Sequence, residues 1–504
     1  MLTTLAAPAF AKTWHIEDGN ITISAGTEAG TNKVEQAGKD TVDNDKDTII
    51  TNQNKDTASS NTVTIDAGSD KVEVTLQDVN IKADSGSALT SKGDVTLTLK
   101  GDNHLTGGIS GTGNYGRNGI ASTGSLTISG GENDSLTAQG GSGADGSYGG
   151  HGIYSNGSLT ISGGTVNATG GDGSNVNGSG ISSNGSVTIS GGTVNATGGN
   201  GSHGGNGIYS RSSLTISGGT VNATGRDGKD GYGGDGIRSD GGVTISGGTV
   251  KAAGGDSKDG YGGDGIRSGG GVTISGNTVN AAGGNGGKVG GYGICSFDRV
   301  AISGGTVEAA GGNSSYGGGD GIYSSVIDLS GSLELTAKAG SPNGKALSQK
   351  GSELVLDTIK DKLGPGAKVT ATDADGKVID QIPIPRPVEP EESSSSSDGG
   401  SAAPSTPASS LPGLTVTDKD GQRISYTSTQ SGNTLTVCVG RLTASFRISL
   451  SALRPLRAEG IETITFQTIL CSTTLSVDEL LAMGGEDAEA VLTHRFTDSS
   501  LTVG

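Results

Sequence analysis

Hydrophobic residues along this chain occur in short alternating runs that recur at a regular interval. One unit reads GIYSNGSLTISGGTVNATGG from Gly152, and a near copy, GIYSRSSLTISGGTVNATG, begins at Gly207. The isoleucines of the GI pair lie 27 to 33 residues apart and are Ile120, Ile153, Ile181, Ile208, Ile237, Ile266, Ile294 and Ile322. A sustained period of this length indicates a repeat architecture.

Each unit contains three alternating runs, which predict three β-strands. In the unit from Gly152 these runs are GIYS, SLTIS and TVNAT, and the apolar side chains of each run point to one face. Runs of about four or five residues are too short to bury that face alone. Equivalent strands must therefore stack on the next coil at roughly 4.8 Å. The pattern predicts an all-β parallel β-helix, or solenoid, with coils of about 28 residues, in which Ile161, Ile189 and Ile216 lie on one axial line.

The composition changes along the chain and indicates four segments. Residues 1–11 end in Ala-Phe-Ala, the form of a signal-peptidase site, but no basic residue precedes them, which leaves the natural start open. Residues 12–380 are assigned to the β-helix, whose final, irregular coils are expected to end near Leu356. Residues 381–413 form a Pro-, Ser- and acid-rich linker. Residues 414–504 return to ordinary patterning.

The last segment is predicted to be a small α+β domain of unknown function. Its runs NTLTVCV and IETITFQTIL are typical of strands, and a capping box at Ser476 and Glu479 predicts a short helix. The three cysteines of the chain are too few for a disulfide framework and lack zinc-site spacing. Whether Cys438 and Cys471 pair stays open.

Composition and charge narrow the class of protein. Glycine supplies 95 of 504 residues and aromatic residues only 3%, which excludes an ordinary globular core. The net charge of −18 disfavours nonspecific binding to nucleic acid or to an anionic membrane. No stretch is long and apolar enough for a membrane span. Together with residues 1–11, this predicts a secreted or cell-surface protein.

Acidic residues repeat in the glycine-rich loops of two adjacent coils, DGKDGYGGDGIRS and DSKDGYGGDGIRS. Stacked carboxylates repel one another by roughly 1 kcal/mol or more, and Ca²⁺ is a cation that takes such oxygen ligands. The candidate metal ligands are Asp227, Asp230, Asp235, Asp256, Asp259, Asp264 and Asp320. The alternative is that Asp-Gly pairs form turns and that neighbouring cations balance the charge. These cations are Lys229, Lys258, Arg238 and Arg267.

Exposed tyrosines with arginines beside them are a second candidate site. Aromatic faces can stack on pyranose rings, and guanidinium groups pair with uronate carboxylates. The candidate carbohydrate-binding residues are Tyr154, Tyr209, Tyr232, Tyr261, Arg238 and Arg267. The alternative is that the tyrosines cover glycine-rich backbone.

No catalytic residue is assigned, and the protein is predicted not to be an enzyme. The acids belong to the repeat rather than to a separate cluster. His151 occupies the position that Asn206 and Asp235 hold in other coils, so loop variation explains it.

The repeat string GIYSxGSLTISGGTVNATGGxG resembles the bacterial family of secreted carbohydrate-binding-domain proteins, which are right-handed parallel β-helices. The likeness covers roughly residues 60 to 360. It implies calcium at acidic loop positions and binding of acidic plant polysaccharide, such as polygalacturonate, without cleavage. The positions to which it carries over are Asp230, Asp235, Asp259, Asp264 and Asp320.

Three functions are open at this point. The leading hypothesis is a secreted, non-catalytic module that binds acidic polysaccharide through Ca²⁺. The rival is a surface adhesin or spacer in which the rod itself is the function. A polysaccharide lyase is the third, and it would need a lone basic residue among calcium-binding acids. The oligomeric state and the mode of cell attachment stay open.

Overall fold

The computed structural model describes residues 12–383 and 413–503. The gaps within these ranges are 111–114, 144–146, 175–176, 419–420, 425, 432, 440–442, 469–471, 486–487 and 495–498. The predicted signal peptide, nearly all of the predicted linker and Cys471 lie outside the described residues. The chain divides into two compact units, Met1–Glu389 and Pro390–Gly504.

The first unit begins with irregular coils. Their strands are β1 (Thr13–His15), β2 (Ile21–Ala25), β3 (Asn32–Gln36), β4 (Val42–Asp45), β5 (Ile49–Thr51), β6 (Val63–Gln77), β7 (Asn80–Lys82), β8 (Leu89–Lys100) and β9 (Asp102–Thr106). Strands β1, β5, β6 and β8 pair in parallel, whereas β3 pairs antiparallel with β2 and with β4. The β2–β4 meander thus occupies strand edges that would otherwise be open to another molecule.

Six regular coils follow, and each contributes three short strands. The strands are β10 (Ile120–Ser122), β11 (Leu126–Gly130), β12 (Ser135–Gln139), β13 (Ile153–Ser155), β14 (Leu159–Ile161), β15 (Thr165–Thr169), β16 (Ile181–Ser183), β17 (Val187–Ile189), β18 (Thr193–Thr197), β19 (Ile208–Ser210), β20 (Leu214–Ile216), β21 (Thr220–Thr224), β22 (Ile237–Ser239), β23 (Val243–Ile245), β24 (Thr249–Ala253), β25 (Ile266–Ser268), β26 (Val272–Ile274) and β27 (Thr278–Ala282). Each strand pairs in parallel with its equivalent in the next coil, so that Ile161 pairs with Ile189 and Ile189 with Ile216. The predicted parallel β-helix with three strands per coil is confirmed.

The core of the solenoid consists of aliphatic columns. Ile161, Ile189 and Ile216 are fully buried, and the valine and alanine of each TVNAT run face them from a 12-stranded parallel stack that ends in one antiparallel strand. Burial of one such side chain contributes roughly 1.5–3 kcal/mol. Because the regular coils repeat the same residues, their core is a continuous aliphatic column, whereas the irregular first coils bury Trp14.

A glycine in the bend between the second and third strands is required by the close stacking of coils. Gly192 has φ +74°, and a Cβ there would collide with the carbonyl oxygen of Gly164 in the preceding coil. Any other residue would carry both the strain of left-handed backbone and this clash. The second glycine of the Ser-Gly-Gly-Thr motif is therefore explained by the close spacing of the coils.

The stack continues through the strands β28 (Ile294–Ile302), β29 (Gly305–Ala310), β30 (Ile322–Leu329), β31 (Leu333–Lys338), β32 (Leu347–Gln349), β33 (Ser352–Glu353), β34 (Lys368–Thr372) and β35 (Val378–Pro383). The repeat pattern suggested that the stack ends near Leu356, but the stack continues beyond this residue. Two 3₁₀ turns, Leu356–Thr358 and Lys360–Lys362, replace the usual strands there. β34 then returns to the stack parallel to β31, and β35 pairs antiparallel with it.

The second unit is a small α+β domain, as predicted. It contains β36 (Leu414–Thr417), β37 (Thr427–Ser431), β38 (Thr434–Cys438), β39 (Ala444–Ser449), α1 (Leu450–Ala458), β40 (Thr463–Gln467), β41 (Ser472–Ser476), α2 (Val477–Met483), β42 (Glu489–His494) and β43 (Ser499–Val503). The strands form two four-stranded sheets. The predicted cap of α2 is confirmed, since Ser476 Oγ accepts the Glu479 N–H at 3.4 Å. Helix α1 was not predicted, because Pro455 within it interrupts a helical pattern.

Candidate functional site

The residue before each GI glycine forms a column of hydrogen-bond acceptors, which we call the acceptor column. Its side chains accept the backbone N–H of the equivalent residue one coil further on, at 2.7–2.9 Å. The residues whose side chains accept this bond are Asn118, His151, Asn206, Asp235, Asp264 and Asp320. An amide oxygen, an imidazole nitrogen and a carboxylate oxygen thus fill one structural role. This role satisfies backbone donors that lie where loop and strand meet.

The second carboxylate oxygens of Asp235 and Asp264 face arginines. Arg267 Nη1 lies 3.1 Å from Asp264 Oδ2, and Arg238 Nη1 lies 3.7 Å from Asp235 Oδ2. Burial, together with the neighbouring Asp235 carboxylate, raises the pKa of the Asp264 carboxyl to about 7. Burial also raises the pKa of Asp235. Backbone donors and guanidinium groups therefore face both oxygens of these two buried acids.

The other candidate metal ligands lie elsewhere on the loops. Asp227 Oδ1 accepts the Asp256 N–H at 2.8 Å, and Asp256 Oδ1 accepts the Asn285 N–H at 2.6 Å. Asp230 and Asp259 are exposed. The seven acids thus occupy three positions of the coil, one buried and two exposed. In the part of the chain that the structure describes, no three His, Cys, Asp or Glu side chains are grouped so as to hold a metal ion.

This arrangement does not fit calcium at the acceptor column. Ca²⁺ takes six to eight oxygen ligands, whereas each oxygen of Asp264 already faces a donor. Asp320 is buried and its Oδ1 accepts the Lys345 N–H. Only the four exposed acids, Asp227, Asp230, Asp256 and Asp259, keep oxygens directed to solvent.

Aromatic rings from three successive loops form an exposed stack, which we call the loop stack. His203 and Tyr232 have ring centroids 5.6 Å apart, and Tyr232 and Tyr261 are 5.1 Å apart, with nearly parallel planes. Tyr232 is 56% exposed. The two tyrosines that the sequence proposed for sugar binding at this position therefore stack on each other and leave a ring face at the end of the stack.

The residue after each GI pair forms a second column, which we call the groove column. Tyr154, Ser182 and Tyr209 follow one another in it, in strand register. A cleft of about 490 Å³ opens here. It is lined by His151, Tyr154, Asn177, Ser179, Ser182, Asn184, His203, Gly204, Gly205, Asn206, Tyr209, Arg211 and Arg238.

Hydrogen bonds hold the two tyrosines of the cleft. Asn184 Nδ2 donates to the Tyr154 hydroxyl at 2.8 Å. The Tyr209 hydroxyl donates to Asp240 Oδ2 at 2.6 Å, and the Arg238 guanidinium lies 5.8 Å from the centre of the Tyr209 ring. Each ring is thereby fixed in place before any ligand arrives, which lowers the entropy cost of binding.

A neutral histidine lies behind Tyr154. The His151 and Tyr154 rings stack at 5.6 Å. Burial lowers the pKa of His151 to about 4, so its ring is uncharged at neutral pH. Its Nδ1 accepts the Ser179 N–H, which assigns the ring proton to Nε2. His151 therefore has a structural partner and contributes no charge to the cleft.

The structure separates the six residues predicted to bind sugar into three places. Tyr154, Tyr209 and Arg238 line the cleft, Tyr232 and Tyr261 form the loop stack, and Arg267 pairs with Asp264 beside the Phe297 ring.

Sequence reasoning missed three further cleft residues, Ser182, Asn184 and Arg211. A signal for Ser182 was present, because Tyr154 and Tyr209 stand in the equivalent positions of the coils on either side of it. A signal for Arg211 was present as well, because it replaces the Asn156 of an otherwise nearly identical unit. Neither signal indicates a cleft residue until the register between neighbouring coils is known.

Comparison with known proteins supports the fold. The family model described as beta helix repeat matches residues 159–185, 187–206, 214–237, 243–266 and 300–320. Neither the curated proteins nor the solved structures contain a match to the chain. None of the helices among the described residues has the length and hydropathy needed to cross a bilayer. The chain carries beta helix repeats, and the class that fold and cleft define is a β-solenoid with a polar, aromatic-flanked groove.

Proposed function

We propose that this protein is a secreted or cell-surface, non-catalytic module that binds acidic polysaccharide in the cleft around Ser182. One observation carries the proposal. The charged side chains among the described residues that line the cleft are Arg211 and Arg238, and both are cationic, in a chain whose net charge is −18. Arginine side chains in a cleft of an otherwise acidic protein favour an anionic ligand.

The chemistry of the lining favours a sugar acid among anions. Tyrosine rings offer apolar faces and a fixed hydroxyl, and arginine pairs with carboxylates through two parallel hydrogen bonds. Asn184, Ser179 and Ser182 add neutral groups that can bond sugar hydroxyls. A small inorganic anion would use the arginines but not the two rings.

A binding role, rather than hydrolysis, is supported by the lining. Glycoside hydrolysis uses a pair of carboxyl groups flanking the bond that breaks, whereas the acids nearest the cleft, Asp235 and Asp240, are bonded to arginine and tyrosine. A lyase remains the catalytic alternative, because an elimination needs only one base. Release of unsaturated sugar from polygalacturonate would demonstrate it.

Calcium bridging stays a prediction for the exposed acids alone. Asp227, Asp230, Asp256 and Asp259 are open to solvent, and carboxylates of this kind are Ca²⁺ ligands. We propose direct arginine contact as the main interaction and calcium as an accessory one. The adhesin or spacer alternative does not require the cleft. Loss of polysaccharide binding after a substitution in the cleft would therefore support the proposal over this alternative.

The test is binding of the full-length chain to immobilised polygalacturonate. Arg211→Gln together with Arg238→Gln should lower the affinity by about tenfold or more, since hydrogen bonds between charged groups contribute roughly 1.5–3 kcal/mol each. The matched control is Lys258→Gln together with Lys288→Gln, which removes the same charge from exposed positions outside the cleft. Equal binding by both double variants would rule out the cleft.

A further inference from the structure

A buried aspartate lies at the end of β4, in the irregular first coils. Asp45 is 2% exposed. Trp14 Nε1 donates to its Oδ2 at 2.9 Å, Thr48 Oγ1 donates to Oδ2 at 3.0 Å, and the Lys12 backbone N–H donates to Oδ1 at 3.2 Å. The Thr48 hydroxyl also accepts a hydrogen bond from Asn32 Nδ2, so its own hydrogen points to Asp45. Because each of these neighbours donates, the carboxyl group is held in its ionised form.

The three donors to this carboxylate are all uncharged. The ion pairs between described residues of the first coils involve other acids. The side-chain ammonium of Lys12 lies over the Trp14 ring, 4.2 Å from its centre. A buried charge that lacks an opposite charge is costly, and neutral hydrogen bonds offset only part of this cost. A positive charge at hydrogen-bond distance from Asp45 would therefore stabilise the first coils.

The backbone nitrogen of Lys12 is the atom at which such a charge can arise. The sequence predicts cleavage by signal peptidase after the Ala-Phe-Ala of residues 9–11. Hydrolysis of the peptide bond before Lys12 consumes one water, leaves a carboxylate on Ala11 and converts the amide nitrogen of Lys12 into an amine. An α-amine takes up a proton at neutral pH. Cleavage thus replaces a neutral N–H donor to Asp45 by an ammonium group.

The fold already holds this nitrogen in position. The Lys12 carbonyl oxygen accepts the Ile49 N–H at 3.3 Å, and β1, which begins at the next residue, pairs in parallel with β5. Lys12 is exposed, so the other hydrogens of the ammonium group can bond water. The new amino terminus therefore faces Asp45 without any rearrangement of the chain.

We propose that Asp45 is the binding site for the amino terminus that cleavage before Lys12 creates. The ion pair links β1, whose partner strand is β5, to β4, whose partner strand is β3. It thereby fastens the irregular coils that cover the first end of the solenoid. The inference goes beyond the proposed function, because it concerns maturation of the chain and does not depend on what the cleft binds.

The first experiment determines the amino terminus of the exported protein. The full chain, preceded by a short basic peptide of the kind that begins an export signal, is secreted from a bacterial host. Mass spectrometry then identifies its first residue, which we expect to be Lys12. Another first residue, or an uncleaved chain, would overturn the proposal.

The second experiment measures the ion pair itself. Trp14 is the only tryptophan of the chain, so its fluorescence in urea reports the opening of this site. A chain that begins at Lys12 should open with an equilibrium constant about tenfold lower than a chain in which Gly-Ser precedes Lys12, because hydrogen bonds to charged groups are the stronger ones. Asp45→Asn is the matched background, since its amide keeps an acceptor oxygen but not the charge. In this background the two chains should open alike.

Two results of the second experiment would contradict the ion pair. One is an equal opening constant for the two chains that retain Asp45. The other is a difference of the same size in the Asp45→Asn background, because the gain would then come from the extension alone. Should Asp45→Asn not fold, hydrogen exchange of the Ile49 amide in the two chains decides. Exchange should be about tenfold slower in the chain that begins at Lys12, and equal rates would overturn the proposal.

Discussion

Two columns flank the GI pair of every coil, and they vary about equally in sequence but with different consequences. In the acceptor column, Asn206, Asp235 and His151 differ in charge and shape, yet each accepts one backbone N–H from the next coil. In the groove column, Tyr154, Ser182 and Tyr209 line a cleft, although Ser182 itself is buried. Variation in the acceptor column leaves the backbone hydrogen bond unchanged, whereas variation in the groove column changes the side chains that line the cleft.

The comparison shows why repeated acids are a weak indicator of a metal site in a solenoid. A buried column must satisfy backbone donors at each step, and Asp does this as well as Asn when a cation is near. Burying the aspartate raises the pKa of its carboxyl, and this shift needs no bound metal ion to explain it. Experiments on the two columns should therefore differ in what they change, stability for one and binding for the other.

The largest expected effect is a pH dependence of stability from Asp264. Its folded pKa of about 7 lies above the ordinary value of 3.8, so the unfolded chain releases this proton at a lower pH than the folded protein. The free energy of unfolding should fall by about 1.4 kcal/mol per pH unit as the pH rises between these two values. Asp264→Asn should remove most of this decline, because its amide oxygen can still accept the Tyr292 N–H.

Urea unfolding at several pH values, followed by circular dichroism, measures this effect. Asp227→Asn is the control, since Asp227 makes the same kind of backbone bond but is exposed. Among the neighbours of Asp264, the Asp235 carboxylate raises its pKa and the Arg267 guanidinium lowers it. A stability profile of Asp264→Asn that still declines like that of the unchanged protein would contradict the burial argument.

A smaller loss of stability is expected when the acceptor column is interrupted. Asn206→Leu leaves the Asp235 N–H without its acceptor, and an unsatisfied buried donor costs about 1–3 kcal/mol. The unfolding midpoint in urea should fall accordingly. Arg211→Gln, in the exposed bend that follows β19, should change the free energy of unfolding by less than about 0.5 kcal/mol. Equal midpoints for the two variants would mean that the column does not stabilise the stack.

The difference between the columns also explains how far the sequence could predict the molecule. The register of Ile161, Ile189 and Ile216 followed from the repeat alone, because identical short strands can satisfy their backbone only by stacking. The repeat could not show which way a loop side chain turns, and so Asp227, Asp230 and Asp235 were all candidate metal ligands, although Asp235 is buried and the other two are exposed. Cys295 illustrates the same limit. It stands in the outward groove column, yet it is fully buried, since alternation does not tell how neighbouring side chains close over a residue.

A moderate effect on affinity is expected from the rings of the groove column. Tyr209→Ser removes one aromatic ring from the lining of the cleft and should weaken binding of a galacturonate trisaccharide, measured by calorimetry, by about threefold to tenfold, in line with roughly 0.5–1.5 kcal/mol for an aromatic contact. Tyr261→Ser in the loop stack is the matched control, because it removes a tyrosine that another ring already covers on one face. If Tyr261→Ser lowers the affinity more than Tyr209→Ser, the polysaccharide lies on the loop stack instead of in the cleft.

The smallest expected effect is that of calcium. Chelation with EDTA should change the affinity for polygalacturonate by less than about twofold, because arginines that face solvent need no bridging cation. Asp227→Asn together with Asp256→Asn tests the exposed acids directly, while Asp235 and Asp264 stay intact to support the stack. If EDTA abolishes binding by the unchanged protein but has no effect on the double variant, the loop acids recognise the polysaccharide through calcium. The groove column would then be only the outer surface of a solenoid whose function depends on the metal.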